Sequence, residues 1–441
     1  MTFDNIDFNE PNIVPASSIC ESIFDGTHDS PKQQDNGFKL VTSRHIKANK
    51  VLSEEAYFIS EEDYIKINKR SRLQTGDVLF TMIGTVGEVC RLSVEPDFAI
   101  KNIGVFRPAD ASDSVWIYYY LLSPQGRKNI EAAKRGTTQQ FMSLKELREF
   151  PVNFPKDSLY RHKQMLIPEL IDSKIDANNT LSKTLEDIAQ TIFKSWFIDF
   201  DPVKAKMAGE KPAGMDAATA ALFPDSMEES ELGLIPRGWS WITVGDIADV
   251  IDCLHSKKPE LLEEGFPYLQ LDTISDSGVL RFENAGLISR KDYEKWTSRI
   301  EVQGGDCLIT NVGRVGAVSQ VPDHFKAAIG RNITAIRPKD SALHRSFLII
   351  SLLSDFMKKE ITRNTDSGTI LEALNVRNIP KLKVPGPSES LLLEFTKICD
   401  PLQLQIHELH ELNVNLRKIR DALLPRLISG ELRIPEEMLL S

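Results

Sequence analysis

"TGDVLFTMIGTVGEV", Thr75 to Val89, reads as a strand of apolar and β-branched residues, a tight glycine turn and a second strand. Far down the chain "GGDCLITNVGRVGAV", Gly304 to Val318, repeats it with the glycines in place. Between those glycines the side chain changes, from Thr85 to Arg314. The likeness extends in both directions. "ISEEDYIKINKRSRLQTGDVLFTMIGTVGEV" from Ile59 aligns without a gap to "ISRKDYEKWTSRIEVQGGDCLITNVGRVGAV" from Ile288. "AIKNIGVFRP" (Ala99–Pro108) answers "AIGRNITAIRP" (Ala328–Pro338), and "GTTQQFMSLKELREFPVNFP" from Gly136 answers "GTILEALNVRNIPKLKVPGP" from Gly368. A unit this long is a duplicated domain and not a solenoid repeat.

Each copy ends in a helical pattern. In the second, Ile398, Leu402, Gln405, Leu409, Leu412, Leu416, Ile419 and Leu423 recur at alternating steps of four and three, the period of a coiled-coil seam. The same register in the first copy gives Ile167, Ile171, Lys174, Asn178, Leu181, Leu185, Ile188 and Ile192. A shared register predicts that the two helices pack on each other, with Leu181, Leu185, Ile188 and Ile192 against Leu412, Leu416, Ile419 and Leu423. The globular parts carry short β-branched runs punctuated by Gly, Pro and Asp, followed by helical segments such as "VWIYYYLLSPQGRKNIEAAK". The expected fold class is α+β, two duplicated mixed α/β domains and two long helices.

The predicted organisation is a first domain over 1–157, a long helix over 158–200, a linker with one short helix over 201–237, a second domain over 238–387, a second long helix over 388–430, and a tail over 431–441. The linker reading rests on Ala, Gly, Pro and acidic residues with little apolar periodicity.

The 441 residues are 41% hydrophobic and 26% charged, the balance of a soluble globular protein of two or three domains. No apolar run reaches membrane-spanning length, the acidic start "MTFDNIDFNE" is no secretory signal, and a cytoplasmic location is expected. Cys20, Cys90, Cys253, Cys307 and Cys399 lie far apart without metal-ligand spacing, so free thiols and no metal are expected. A net charge of −10 argues against nonspecific coating of nucleic acid, while leaving room for local basic loops.

Catalytic signatures are missing from the sequence: no GxxxxGK[ST], HExxH or GxSxG run, and no DPPY or NPPY loop. The GTVG and GRVG turns join strand to strand, so they lack the helix N-terminus that phosphate and dinucleotide sites use. Asp77 and Asp306 read as turn residues that bond local backbone amides. A binding protein is the expectation. Duplicated readers suit duplex DNA with two half-sites, where polar side chains read base edges and the frame positions them. Candidate contacts in the first copy are His28, Lys32, Thr81, Thr85, Lys101, Asn102, Arg135, Thr137, Thr138 and Gln139. Those in the second are His255, Lys257, Lys258, Asn311, Arg314, Arg331, Asn332, Ser367 and Thr369. Arg, Lys, Asn and Gln among them are the types able to contact bases bidentately.

Taken together, the paired "GD(V/C)L(F/I)T…G.VG.V" segments, "IFKSWFIDFDPVKAK", "LFPDSMEESELGLIPRGW" and "LRKIRDALLPRLISGEL" resemble the specificity (S) subunits of type I restriction–modification systems. The resemblance covers nearly the whole chain. It implies two target-recognition domains joined by two long helices packed antiparallel, each domain reading half of a split DNA site while the helices set the spacing. It implies a chain without catalytic activity that docks two methyltransferase (M) subunits and recruits restriction (R) subunits. S-adenosylmethionine, ATP and magnesium would then belong to those partners and not to this chain. Leu371 and Glu372 stand where the first copy has Gln139 and Gln140, so contacts inferred for those glutamines do not carry across. A protein-binding scaffold or inhibitor on the same frame is the alternative reading.

Overall fold

A computed structural model describes residues 12–47, 49–136, 140–366 and 372–435. The chain divides into two compact units, one built from residues up to Lys174 together with those from Asn415, the other from Ile175 to Val414.

In the first unit an antiparallel sheet runs in the order Cys20–Asp25, Ile103–Pro108, Val78–Thr81, Val89–Arg91. The quoted stretch supplies its last two strands. Gly84 and Gly87 turn the chain between them at φ +81° and +100°, a region that strains residues with a Cβ. A Cβ on Gly87 would also fall 2.9 Å from Ile130 Cγ2. A smaller sheet holds Phe38–Thr42 between Tyr57–Ile59 and Phe98–Lys101, the latter pair parallel. The Ala111–Leu122 helix, capped by Asp110, is apolar nearly all round because it is enclosed nearly all round. Its Trp116, Tyr119 and Tyr120 join Phe80, Phe106 and Phe150 in the core, where Leu424, Leu427 and Ile428 also lie.

The second unit repeats this order with Ala248–Asp252, Ile333–Pro338, Cys307–Thr310, Val318–Gln320, and then adds Gly278–Val279. Its smaller sheet again contains a parallel pair, Phe266–Leu269 with Ala328–Ile329. The core gathers Trp196, Phe197, Phe223, Trp239, Phe347 and Phe395. In both units the aspartate at the strand entry accepts a local amide, from Gln74 N to Asp77 and from Gln303 N to Asp306, each at 2.9 Å. Each also holds a two-pronged arginine: Arg107 at 2.8 and 2.7 Å from Asp77, and Arg337 at 2.8 and 2.6 Å from Asp306. The duplication therefore reaches the buried charges.

The stretch 201–237, expected to be a linker with one short helix, is packed structure. It holds helices Asp201–Met207 and Ala217–Ala221 and a hairpin of Met227–Ser230 with Gly233–Pro236. Its few apolar residues are too widely spaced to show a period, yet Phe223 and Ile235 are buried in the second unit's core.

Two long helices, Ser158–Phe193 and Glu389–Ser429, contribute to both units. Within the first unit Gln164 Nε2 donates to Leu432 O at 2.7 Å, and Arg420 meets Asp172 at 2.5 Å. Within the second, Asn178 Nδ2 donates to Asn413 Oδ1 at 2.8 Å, and Leu185 packs with Ile406. One helix ascends as the other descends, so the pairing is antiparallel. The seam needs a correction. Leu185 is buried and Ile192, Leu416 and Leu423 are half-buried, but Leu181, Ile188, Leu412 and Ile419 are 41 to 50% exposed. On the second helix the buried line runs through Cys399, Gln403, Ile406, Asn413 and Leu424, one residue on from the apolar stripe. On the first it takes Asn178, Leu185 and Ala189. On the first helix Asn178 and Leu185 keep the expected register; on the second, the polar Gln403 and Asn413 take buried places and the seam is displaced by one residue. Among the described residues no helix is long and apolar enough to cross a membrane.

Candidate nucleic-acid interface

The first unit's edge strand ends at Asp25, which is buried, and the chain turns out to His28. The His28 ring faces Asp25 Oδ2 through Nε2 at 2.9 Å and Asn102 Oδ1 through Nδ1 at 2.8 Å. Arg70, from the last turn of the Glu61–Ser71 helix, donates to Asp25 Oδ1 at 2.7 Å. The carboxylate thus fixes two groups whose outer faces remain in solvent, with side-chain exposures of 61% for His28 and 66% for Arg70. Asn102 takes φ +55°, a left-handed conformation that asparagine tolerates better than most residues.

The second unit rebuilds this group. Asp252 closes the edge strand and meets His255 Nε2 at 2.7 Å. Arg299 lies 3.9 Å from the same carboxylate oxygen and donates to Cys253 O at 2.9 Å. Asn332 sits at φ +68°. An aspartate-anchored histidine and arginine beside a left-handed asparagine is thus a property of the frame. Asp25, Arg70, Asp252 and Arg299 escaped the sequence reading, although the shared Asp-x-x-His spacing and the aligned arginines were there to be seen.

Lys32, Lys257, Lys258 and Arg331 are exposed around these groups, and Lys101 Nζ bonds Ser30 Oγ. Other expected contacts stand elsewhere. Thr81 and Asn311 are corrections: both are buried and closed to a ligand, and the Thr81 hydroxyl, which accepts from Glu88 N at 2.9 Å, holds the turn. Thr85 is exposed on the turn. Arg314 is exposed too, but its guanidinium bonds Ile274 O at 2.7 Å and Asp276 at 2.5 Å. Arg135 pairs with the buried Glu146. Thr137, Thr138, Gln139, Ser367 and Thr369 lie outside the described residues.

Asp252, Cys253 and His255 offer ligand atoms within 4.8 Å of one another, the one such group among the described residues. The arginine beside Asp252 disfavours a cation, and burial pushes the Cys253 thiol up, away from the thiolate that metals bind. In the first unit Gly26 takes the cysteine's place and the His–Asp pair is unchanged. The pairing accounts for itself without a metal.

Residues 13–189 match the model of the type I restriction modification DNA specificity domain. The chain is 26% identical to the HindI specificity subunit of Haemophilus influenzae over 69% of this chain and 74% of that one. It is likewise 26% identical to the MjaIX specificity subunit of Methanocaldococcus jannaschii, over 82% and 78%. The chain is thus similar to type I specificity subunits over most of its length, and its first part matches their DNA specificity domain. Its fold is that of the S subunit from M. genitalium, with a TM-score of 0.50 at 18% identity over 97% of this chain and 99% of that one. The family model falls on the first half, and the repeated sheet order and repeated His–Asp–Arg–Asn group extend the same frame to the second.

Proposed function

We propose that this chain is the noncatalytic reader, the S subunit, of a type I restriction–modification complex. Each unit reads one half of a bipartite duplex site, and the paired helices fix the gap between the halves. The observation that carries this reading is the duplicated group of His28, Asp25, Arg70 and Asn102 with His255, Asp252, Arg299 and Asn332. Two identical frames bearing different neighbours are what two different half-sites require. Groups common to both copies suit phosphates, which are the same in every sequence, and groups that differ suit bases.

Methyltransferase subunits would dock on the helices, where Leu181, Ile188, Leu412 and Ile419 leave apolar surface in water. They would bring S-adenosylmethionine, and the restriction subunits ATP and magnesium. A net charge of −10 fits a subunit whose partners supply part of the positive surface DNA needs. Binding of the reconstituted complex to a randomised duplex library at several salt concentrations tests the reading. It predicts a two-part motif and an affinity that falls with salt. Binding indifferent to both salt and sequence would instead favour a protein-binding scaffold.

A further inference from the structure

The parallel strand pair of the smaller sheet aligns the two units residue by residue. Leu40 faces Ala99 and Val41 faces Ile100 in one; Tyr268 faces Ala328 and Leu269 faces Ile329 in the other. Both leading strands then pass into a single 3-10 turn, Ser43–His45 and Leu271–Thr273. Thr42 therefore stands where Gln270 does, and Arg44 where Asp272 does. Both turns lie next to the strand that leads to the left-handed asparagine. The frame is kept while the charge at its rim is reversed.

In the second unit this rim encloses an open recess of about 580 Å³ lined by Lys258, Tyr268, Gln270, Asp272, Gly330 and Arg331. Its floor depends on glycine, since a Cβ on Gly330 would lie 2.7 Å from Leu269 O and 2.9 Å from the Tyr268 hydroxyl. Asp272 is exposed, and among the described residues its carboxylate has no hydrogen-bond or ion-pair partner, although Lys258 and Arg331 line the same recess. Arg314 of the glycine turn, by contrast, is already tied to Asp276 and Ile274 O.

We propose that Gln270 and Asp272 read base edges in the half-site of the second unit, and that Arg44 holds the corresponding reading position in the first. The proposal rests on the DNA reading above and assigns residues to it. A carboxylate accepts from the exocyclic amino group of cytosine or adenine, a carboxamide can bond adenine bidentately, and a guanidinium suits the N7 and O6 of guanine. The flanking Lys258 and Arg331 suit the phosphates on either side of the base so presented. Arg44 is steadied for its role by an Nε bond to the buried His45 at 3.0 Å.

The test selects sequences from a randomised duplex library with the full chain bound to its methyltransferase subunits, as wild type and as Asp272→Ala, Gln270→Ala and Arg44→Ala. Asp272→Ala and Gln270→Ala should each lower the preference at one position of one half-motif by about tenfold and leave the other half intact. Arg44→Ala should do the same in the opposite half. The retained half-motif reports that each variant is folded and assembled. Unchanged motifs in all three variants, or a uniform loss over all sequences, would overturn the assignment while leaving the DNA reading standing. A wild-type complex that selects no motif would overturn both.

Discussion

At the residue scale, a carboxylate in each unit decides what neighbouring side chains can do. Asp25 and Asp252 hold a histidine and an arginine at the surface, and both units carry the set, so these side chains suit contacts common to every sequence. Arg70→Ala and Arg299→Ala should therefore weaken DNA binding by similar factors on all sequences and lower the salt slope by about one phosphate each. Titrating wild type and variants against specific and random duplexes checks this; loss confined to one motif would make the guanidinium a base reader. Asp77 and Asp306 act inward. Arg107→Ala or Arg337→Ala would strand a buried carboxylate at a cost of about 3 to 5 kcal/mol, measurable by denaturant unfolding of the chain. The turn glycines and the function of Asp77 were legible from residue type alone. That Thr81 and Asn311 are buried was not, because a polar β-branched or amide side chain looks alike on either face of a strand. The reading position at Arg44 and Asp272 was hidden for another reason: past the shared Gly37-Phe38 and Gly265-Phe266 the turns have no residue in common, and the strand register carries the alignment through them.

At the element scale the helices show what periodicity can and cannot give. Their extent and partnership followed from a four-and-three spacing and their direction from the family resemblance; the seam of the second helix did not, since Gln403 and Asn413 occupy it. The paired asparagines make Asn413→Ala costly, by about 1 to 3 kcal/mol, because Asn178 would lose its buried partner. Asn178→Leu with Asn413→Leu should recover that loss and loosen the register, read out by disulfide trapping of slipped pairings. His407 adds a pH dependence. Burial lowers its pKa from 6.5 to about 4, assisted by Arg345, His410 and His324 against the opposing pull of Asp323. The folded ring stays neutral where the unfolded one takes a proton. Stability present above pH 6.5 should thus fall as pH drops toward 4, by up to roughly 3 kcal/mol. His407→Phe should flatten that slope in thermal unfolding at several pH values.

At the scale of the whole molecule, duplication explains why the two halves share a frame while their rims diverge. The linker expectation failed here for a physical reason: Phe223 and Ile235 are single apolar anchors, invisible to a pattern search but enough to fasten a polar stretch to a core. If the helices act as a ruler, seven residues added between Lys174 and Ile175, with seven more between Val414 and Asn415, lengthen each helix by about 10 Å without changing its face. The gap between half-motifs should then lengthen while the half-motifs themselves stay as they are. The most direct test of the central claim is the mapping of methylated adenines in DNA exposed to the complete complex. Two unlike half-motifs held at one fixed gap are the predicted result; a single contiguous motif, or methylation without sequence preference, would contradict it.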